Sequence, residues 1–395
     1  MIPYGKQSID ENDIKAVIKV LRSDWLTTGP KVEEFEDAVA DYVSAKYAVA
    51  VSSGTAALHA AMNAIGIGPG DEVIVSPMTF AATANCVVFQ GGTPVFADVD
   101  PDTLLLDPAK AEEKITEKTR AIIGVDYAGH PCDWDRLWDI ADRSGLRLVA
   151  DGCHALGAEY KGRKVGSLAD MTIFSFHPVK HITTGEGGMI TTDDTELAGR
   201  MRLFRSHGIT TDARQREKQG SWFYEMVDLG YNYRITDFQC ALGISQLQKL
   251  PKFLERRREI AAIYHDALAD ISGIEPLGRR ADVLSPTQSP MLHAPSSMPS
   301  KHAYHLYVVK IALKTLGVDR TSLFIGLREK GIAVNVHYIP VYLHPYYREN
   351  FDTRPGLCPN AEGAYAQIIS LPMFPGMTDD ALDYVLKVMK EIICV

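Results

Sequence analysis

Two residues carry the most chemistry in this chain. Asp151 closes the apolar run RLVAD, and Lys180 closes TIFSFHPVK. Both fall where β-rich runs end, which is where open α/β sheets bind ligands. An amine and a carboxylate brought together there suit pyridoxal phosphate. That cofactor needs a lysine to hold it as an imine, and an acid facing its ring nitrogen to keep that nitrogen protonated so the ring accepts carbanion electrons. Alone, an Asp at a strand end reads as a helix cap or surface turn, and a loop Lys as solvated. The surrounding FSFHPVKHITTGEGG changes that reading: Ser175 ahead of the lysine and a glycine-rich turn after it place a hydroxyl and close-approaching backbone beside one ligand.

Positioning such a pair requires a sheet. Short β-rich runs at Glu72 to Ser76, Pro94 to Asp98, Ala121 to Asp126, Arg147 to Asp151, Thr172 to Phe176 and Met189 to Thr192 alternate with helical stretches. This alternation predicts a mostly parallel sheet covered by helices on both faces. Two helices precede it. Ser8-Ile-Asp-Glu11 reads as a capping box ahead of Ile14, Val17, Ile18 and Leu21, and Pro30 opens a second stripe of Val32, Phe35, Val39, Tyr42 and Val43. After about Leu247 the pattern changes to a long charged helix, a polar stretch from about Arg279 to Lys301, the strand YHLYVVKI, a helix near SLFIGLREKG, the segment VNVHYIPVYLHPYY and a last amphipathic helix, DDALDYVLKVMKEI. The expected division is a large domain over 1–247 and a smaller α+β domain over 248–395.

The 395 residues are 46% hydrophobic and 23% charged, enough for a sizeable core. A formal charge of -9 without a dense Lys/Arg block argues against nucleic acid as a partner. The six cysteines are scattered without Cys-x-x-Cys or metal-ligand spacing and read as free thiols. With no secretory signal and no run long and apolar enough to span a bilayer, a soluble cytoplasmic protein is expected, with no membrane partner and no metal.

The lysine motif resembles that of the DegT/DnrJ/EryC1/StrS family, the sugar-nucleotide aminotransferases among the fold-type-I pyridoxal phosphate enzymes, and the resemblance runs over nearly the whole chain. It implies an aspartate aminotransferase-like α/β fold, with Lys180 as the Schiff-base lysine and Asp151 as the ring-nitrogen acid. SSGTAALHAAM resembles the family's phosphate-binding turn, in which Gly54 and Thr55 open a helix whose free N–H groups suit a phosphate, with Ser175 adding a hydroxyl. In SPMTFAATANCVV, Phe80 matches the aromatic that stacks on the cofactor ring. His154, in DGCHALGAEYKGRKVGS, matches a polar residue that contacts the cofactor. GYNYRITDFQCALG resembles an intersubunit segment, which implies a homodimer with shared active sites: Asn232 would reach the cofactor phosphate of the other subunit. Arg234 is either a holder of the amino donor's carboxylate or an interface salt bridge.

Within the family, DWLTTGPKVEEFE, VDYAGHPCD and VNVHYIPVYLHPYYR resemble the branch that aminates C4 of UDP-4-keto-6-deoxy-N-acetyl-β-L-altrosamine on the way to pseudaminic acid, with L-glutamate as donor. Trp25, Leu26 and Thr27 are then candidates for sugar contacts. His337, Tyr338, Tyr342 and Tyr346 are either sugar contacts or a packing stripe. Other readings on the same scaffold are C4 amination of the D-xylo ketone, C3 amination, and C3 dehydration, which the presence of Lys180 disfavours because the dehydratase relatives replace that lysine. A non-catalytic cofactor-binding sensor would tolerate loss of Lys180 or Asp151, and both are present.

Overall fold

Runs of Val, Ile and Ala build a seven-stranded sheet whose strands are buried along most of their length. The computed structural model describes residues 1–211, 213–277 and 300–393. In chain order the strands are β1 (Tyr47–Val51), β2 (Glu72–Val75), β3 (Thr93–Phe96), β4 (Thr119–Val125), β5 (Arg147–Asp151), a small ribbon of β6 (Glu159–Tyr160) and β7 (Arg163–Lys164), β8 (Met171–Ser175) and β9 (Gly188–Thr192). The large sheet runs β1-β9-β8-β5-β4-β2-β3. β8, β5, β4, β2 and β3 are parallel, and β9 is antiparallel to both β8 and β1. All six expected strands are present within a residue or two of their expected bounds. β1 is an addition: YAVAV is a five-residue run that propensity alone does not separate from the helix before it.

The reversal at β9 brings its first residue against the turn after β1. A Cβ added at Gly188 would lie 2.3 Å from the Ser53 carbonyl oxygen and 2.8 Å from the Gly54 nitrogen, both backbone atoms that cannot swing away. Gly188→Ala is therefore expected to destabilise the protein by about 2–4 kcal/mol through forced backbone displacement. A fall in the urea midpoint at unchanged m-value checks this, and an unaltered midpoint would refute it.

The N-terminal helices differ in how well their patterns foretold burial. Pro30–Val43 buries Phe35, Val39 and Val43 as its stripe predicts. The helix Glu11–Leu21 starts later than the Ser8 box implies. Its cap is Asp10, whose carboxylate accepts from the N–H groups of Asn12 and Asp13 while the Asp13 carboxylate accepts from that of Asp10. Its apolar residues Ile14, Ile18 and Leu21 face outward. The inward face instead carries Asp13, which accepts from Ser245 Oγ at 2.7 Å and Gln246 Nε2 at 2.8 Å and pairs with Lys249. A polar network here outweighs the hydrophobic pattern, because a buried carboxylate so fully bonded cannot be turned to solvent without stranding its donors.

The helix Asp237–Leu268 runs unbroken through position 247. Its early residues Cys240, Leu247 and Leu250 join the core under the large sheet. Ile260, Ala261, Tyr264 and Leu268 join a second core, built on a three-stranded antiparallel sheet of β10 (Ile274–Pro276), β11 (Tyr307–Ile311) and β12 (Ile368–Leu371) and on the helices Arg320–Glu329 and Asp379–Ile393. Of the polar stretch, all but Ser300 and Lys301 lies outside the described residues. Among the described residues no helix is long and apolar enough to cross a membrane, and the five cysteines among them are unpaired.

Candidate active site

Three chain segments deliver polar groups to the same end of the sheet. β5 ends on Asp151, its parallel neighbour β8 ends on Ser175, and β1 leads into the helix Gly54–Ala64. The β8–β9 connection carries Lys180 over these strand ends. They enclose a cavity of about 530 Å³, within the range of small-molecule sites. Gly54, Thr55, Phe80, Asp151, His154, Ser175 and Lys180 line it, and His337 and Tyr338 reach it from the C-terminal part of the chain. The lysine and the acid that opened the sequence analysis thus share one cavity.

Asp151 is buried and oriented. Its Oδ2 accepts from Thr83 Oγ1 at 2.6 Å, and its Oδ1 accepts from the Cys153 N–H at 3.2 Å. Thr83, its proton given to Asp151, in turn accepts from Thr79 Oγ1 at 2.7 Å. These contacts fix the carboxylate plane while leaving lone pairs for a cationic partner in the cavity. Burial pushes the Lys180 amine below the ordinary lysine range, against the opposing pull of Cys153 and Asp151. An amine held in that direction is a better nucleophile and base at neutral pH than a solvated one.

In the same cavity the backbone is prepared for an anion. Ser53 caps the helix by accepting from the Ala56 N–H at 3.1 Å, and the N–H groups of Gly54 and Thr55, at the first positions of the helix, have no intrahelical partner. A Cβ at Gly54 would lie 2.9 Å from Ser175 Cβ and 3.2 Å from its Oγ, so glycine lets the helix start close over the serine hydroxyl. Free N–H groups, a positive dipole end and a hydroxyl form a phosphate cradle.

The walls are aromatic. The Phe80 ring lies 6.4 Å from that of Tyr338, and is 64% exposed although it lines the cavity, so one of its faces is free for a planar ligand. Tyr338 OH and His154 Nε2 are 3.1 Å apart. His154 is held well below the ordinary histidine range, chiefly by burial and then by the Lys180 charge. On the far side, His337 Nδ1 is 2.8 Å from Ser370 Oγ, and its Nε2 is 3.3 Å from Asn335 Nδ2. A carboxylate, a phosphate cradle, an aromatic wall and a lysine amine lining one cavity match the four recognisable parts of pyridoxal phosphate, so the residues present fit that group.

Several expected residues lie elsewhere. Asn232, Arg234, Trp25, Leu26 and Thr27 do not line the cavity of their own chain. Arg234 and Thr27 border a separate cleft with Thr28, Arg202 and Arg205. Asn232 bridges to Ser206, Thr27 bridges to Thr236, and the Leu26 carbonyl accepts from the Asp237 N–H. Tyr342 is fully buried and its hydroxyl pairs with Glu362, so it belongs to the core. Tyr346 packs at 5.4 Å on Tyr347 away from the cavity. Tyr342 thus packs in the core, whereas Tyr346 is half-exposed.

Sequence reasoning missed Thr83, Thr79, Tyr4, Cys153, Asn335 and His305. Thr79 and Thr83 flank Phe80 at the spacing of one helical turn and were legible as a hydroxyl pair. Tyr4, Asn335 and His305 come from segments remote in sequence, with no motif to mark them.

The chain belongs to the DegT/DnrJ/EryC1/StrS aminotransferase family, whose model matches residues 7–390. It is 38% identical over 400 residues to the UDP-4-amino-4-deoxy-L-arabinose–oxoglutarate aminotransferase of Shewanella sediminis, covering 99% of this chain and 98% of that one. The solved structure of Helicobacter pylori PseC, an aminotransferase involved in pseudaminic acid biosynthesis, superposes with a TM-score of 0.89 at 32% identity over 99% of each chain. Spr1654 of Streptococcus pneumoniae, solved in its PLP-form, superposes at 0.87 with 34% identity, over 99% of this chain and 98% of that one. This protein is a pyridoxal-phosphate-dependent sugar aminotransferase of fold type I, taking an amino donor and a nucleotide sugar.

Proposed function

We propose that this enzyme transfers the amino group of L-glutamate to the C4 ketone of UDP-4-keto-6-deoxy-N-acetyl-β-L-altrosamine, a step toward pseudaminic acid, and that it works as a homodimer with shared sites. The observation that carries the catalytic reading is the meeting of Lys180 and Asp151 in one cavity that the Gly54-Thr55 turn and Ser175 also line. The substrate reading rests on the likeness to PseC over the full chain and on the segments around Trp25, Tyr127 and Tyr338.

When bound, the cofactor supplies a carbonyl that a lysine captures and a ring that accepts the electron pair of a C–H bond. Asp151, its plane fixed by Thr83 and the Cys153 N–H, would hold the proton on the ring nitrogen. Gly54, Thr55 and Ser175 would hold the phosphate, joined by Asn232 of the partner subunit. Phe80 would offer its exposed ring to the cofactor, and His154 would contribute a polar contact. With the donor in place, the free Lys180 Nζ would take the proton from the donor α-carbon, and in the second half-reaction it would deliver a proton to C4 of the sugar, with hydrolysis between the two releasing 2-oxoglutarate. Arg234, which does not line the cavity of its own chain, would reach the donor carboxylate across the dimer with its guanidinium fork. His337 and Tyr338, which line the cavity, would contact the sugar, as would the Trp25-Leu26-Thr27 loop across the dimer.

Exposed apolar surface supports the dimer. Trp222, Phe223, Tyr224, Met226, Val227 and Leu229 form an exposed run just ahead of Asn232, and Ile14, Ile18 and Leu21 add an exposed stripe on the first helix. Contiguous apolar surface of this kind marks a protein contact.

The test begins with the visible absorption of the purified protein loaded with pyridoxal phosphate. L-Glutamate should remove the band of the lysine-bound cofactor and release 2-oxoglutarate, and the β-L-altro ketone should restore it. Restoration by the D-xylo ketone alone would move the substrate to another sugar, and restoration by neither would remove UDP-linked 4-keto-hexosamines from consideration.

A further inference from the structure

The segment that carries Asn232 is tied to the phosphate cradle of its own chain, and Tyr233 makes the tie at two points. Its carbonyl accepts from the Ser52 N–H at 2.8 Å, at the turn leading into the helix Gly54–Ala64. Its hydroxyl lies 2.9 Å from Nδ1 of His59, farther along the same helix. The backbone of the segment is extended: the Tyr231 N–H donates to the Phe204 carbonyl, the Tyr233 N–H donates to the Arg205 carbonyl, and Asn232 bridges Ser206. In an extended chain successive side chains point to opposite faces. Tyr231 and Tyr233 stack with centroids 5.1 Å apart and planes 15° from parallel, and both rings pack on His59. Asn232 between them is turned the other way and is exposed.

Histidine is a poor filler for the place it occupies here. The His59 ring is 3% exposed and caged by Phe89, Phe204, Tyr231 and Tyr233, whose centroids lie 5.0 to 5.8 Å away. Its Nε2 is buried without a hydrogen-bond partner. A leucine would fill an aromatic cage and leave no polar atom bare. What the imidazole adds is the bond from Nδ1 to the Tyr233 hydroxyl.

We propose that His59 and Tyr233 are positioning residues that act on the neighbouring active site rather than on their own: their hydrogen bond fixes the 231–233 segment so that Asn232 meets the cofactor phosphate of the partner subunit. The inference rests on the reading of Asn232 as a residue given across the dimer. One helix then serves two sites. Its first N–H groups hold the phosphate in its own subunit, and His59 farther along aims the amide that holds the phosphate in the other. A packing role has a different signature. Replacing Tyr233 by phenylalanine removes the hydroxyl but keeps the stacked ring and the carbonyl that Ser52 uses, so the cradle of the same subunit keeps its support. A residue that merely held the fold would harm its own site at least as much as its partner's.

The test uses heterodimers isolated through two different affinity tags, with Lys180→Ala in one subunit. Borohydride reduction then fixes pyridoxal phosphate on the Lys180 peptide of the other subunit alone, and mass spectrometry gives the cofactor concentration for half-labelling. Adding Tyr233→Phe to the Lys180→Ala subunit should raise that concentration about fivefold, the worth of one net hydrogen bond. Asn232→Ala placed there should raise it at least as much. Moving Tyr233→Phe into the subunit that keeps Lys180 should leave the value within about twofold of the control, well short of the loss of a hydrogen bond serving that site. His59→Leu in the Lys180→Ala subunit should reproduce the effect of Tyr233→Phe, which keeps the contrast measurable should either variant fail to assemble, and the two together should cost no more than one. His59→Asn, whose amide reaches the place of Nδ1, should restore the control value. No rise from the Lys180→Ala subunit overturns the proposal, as does an equal rise wherever Tyr233→Phe is placed. Absence of an effect from Asn232→Ala in the Lys180→Ala subunit would instead overturn the shared-site reading beneath it.

Discussion

Lys180→Ala should yield a folded dimer that still takes up pyridoxal phosphate, non-covalently, and that loses about 10⁴-fold or more of turnover. Two roles end together in this variant, capture of the cofactor and transfer of the proton, and groups acting as a unit cost about as much singly as jointly. Folding should be spared. Among the described residues the only hydrogen bond of Lys180 is that of its backbone N–H to the His177 carbonyl at 2.9 Å, which alanine keeps, and removing the amine strands no partner. Loss of the lysine-bound absorption band at unchanged thermal midpoint would agree, and turnover within tenfold of wild type would sink the assignment. The same variant tests the shared site. If Asn232 of the partner subunit completes each site, mixing and reassociating Lys180→Ala with Asn232→Ala subunits gives heterodimers holding one site with both residues intact. Random pairing makes half the dimers mixed, each half active, so about a quarter of wild-type activity should return. No recovery would place Asn232 in its own subunit's site.

How much of this was legible in the sequence follows the range over which each feature is encoded. The strands around the site read clearly because a parallel sheet buried on both faces demands continuous apolar runs, and RLVAD and TIFSF have no other use. Asp151 and Lys180 were readable because topology places every strand end on one side, so two residues distant in sequence need only terminate neighbouring strands to meet. The first helix misled because periodicity records which side is apolar and not what that side touches. Ile14, Ile18 and Leu21 follow the helical spacing yet point outward, while Asp13 goes inward to Ser245 and Gln246. His305 and Tyr4 were invisible for a related reason. Each is one residue in a segment without a motif, and only the closure of the C-terminal part of the chain over the sheet gives it a role. The tyrosines of HYIPVYLHPYYR divided between both readings, with Tyr338 meeting His154 in the cavity and Tyr342 meeting Glu362 in the core.

Asp151→Asn isolates charge from shape and should cost about 10³–10⁴-fold in each half-reaction, equivalent to about 4–5.5 kcal/mol of transition-state stabilisation. The amide is nearly the same size as the carboxylate, and its Oδ1 can still accept from the Cys153 N–H. The Thr83 hydroxyl that now donates to Oδ2 can rotate, accept from the new amide, and donate to Thr79 instead, since either threonine can serve as donor in that pair. The local network therefore survives reversal, and stability should move by no more than about 1 kcal/mol. What disappears is the negative charge facing the ring nitrogen. Without it the proton there is no longer held, and the ring accepts electrons poorly whenever a C–H bond is broken. Because that demand arises in both directions, single-turnover rates with glutamate and with the keto sugar should fall by similar factors, whereas a residue that merely bound one substrate would slow only one. Asp151→Glu should not rescue: an added methylene within the shell of Thr83 and the Cys153 N–H moves the charge off the position where it is needed. A glutamate half-reaction within tenfold of wild type in the Asn protein would mean that the ring proton is held by some other group, and Asp151 would revert to the strand-end cap that it resembles in isolation.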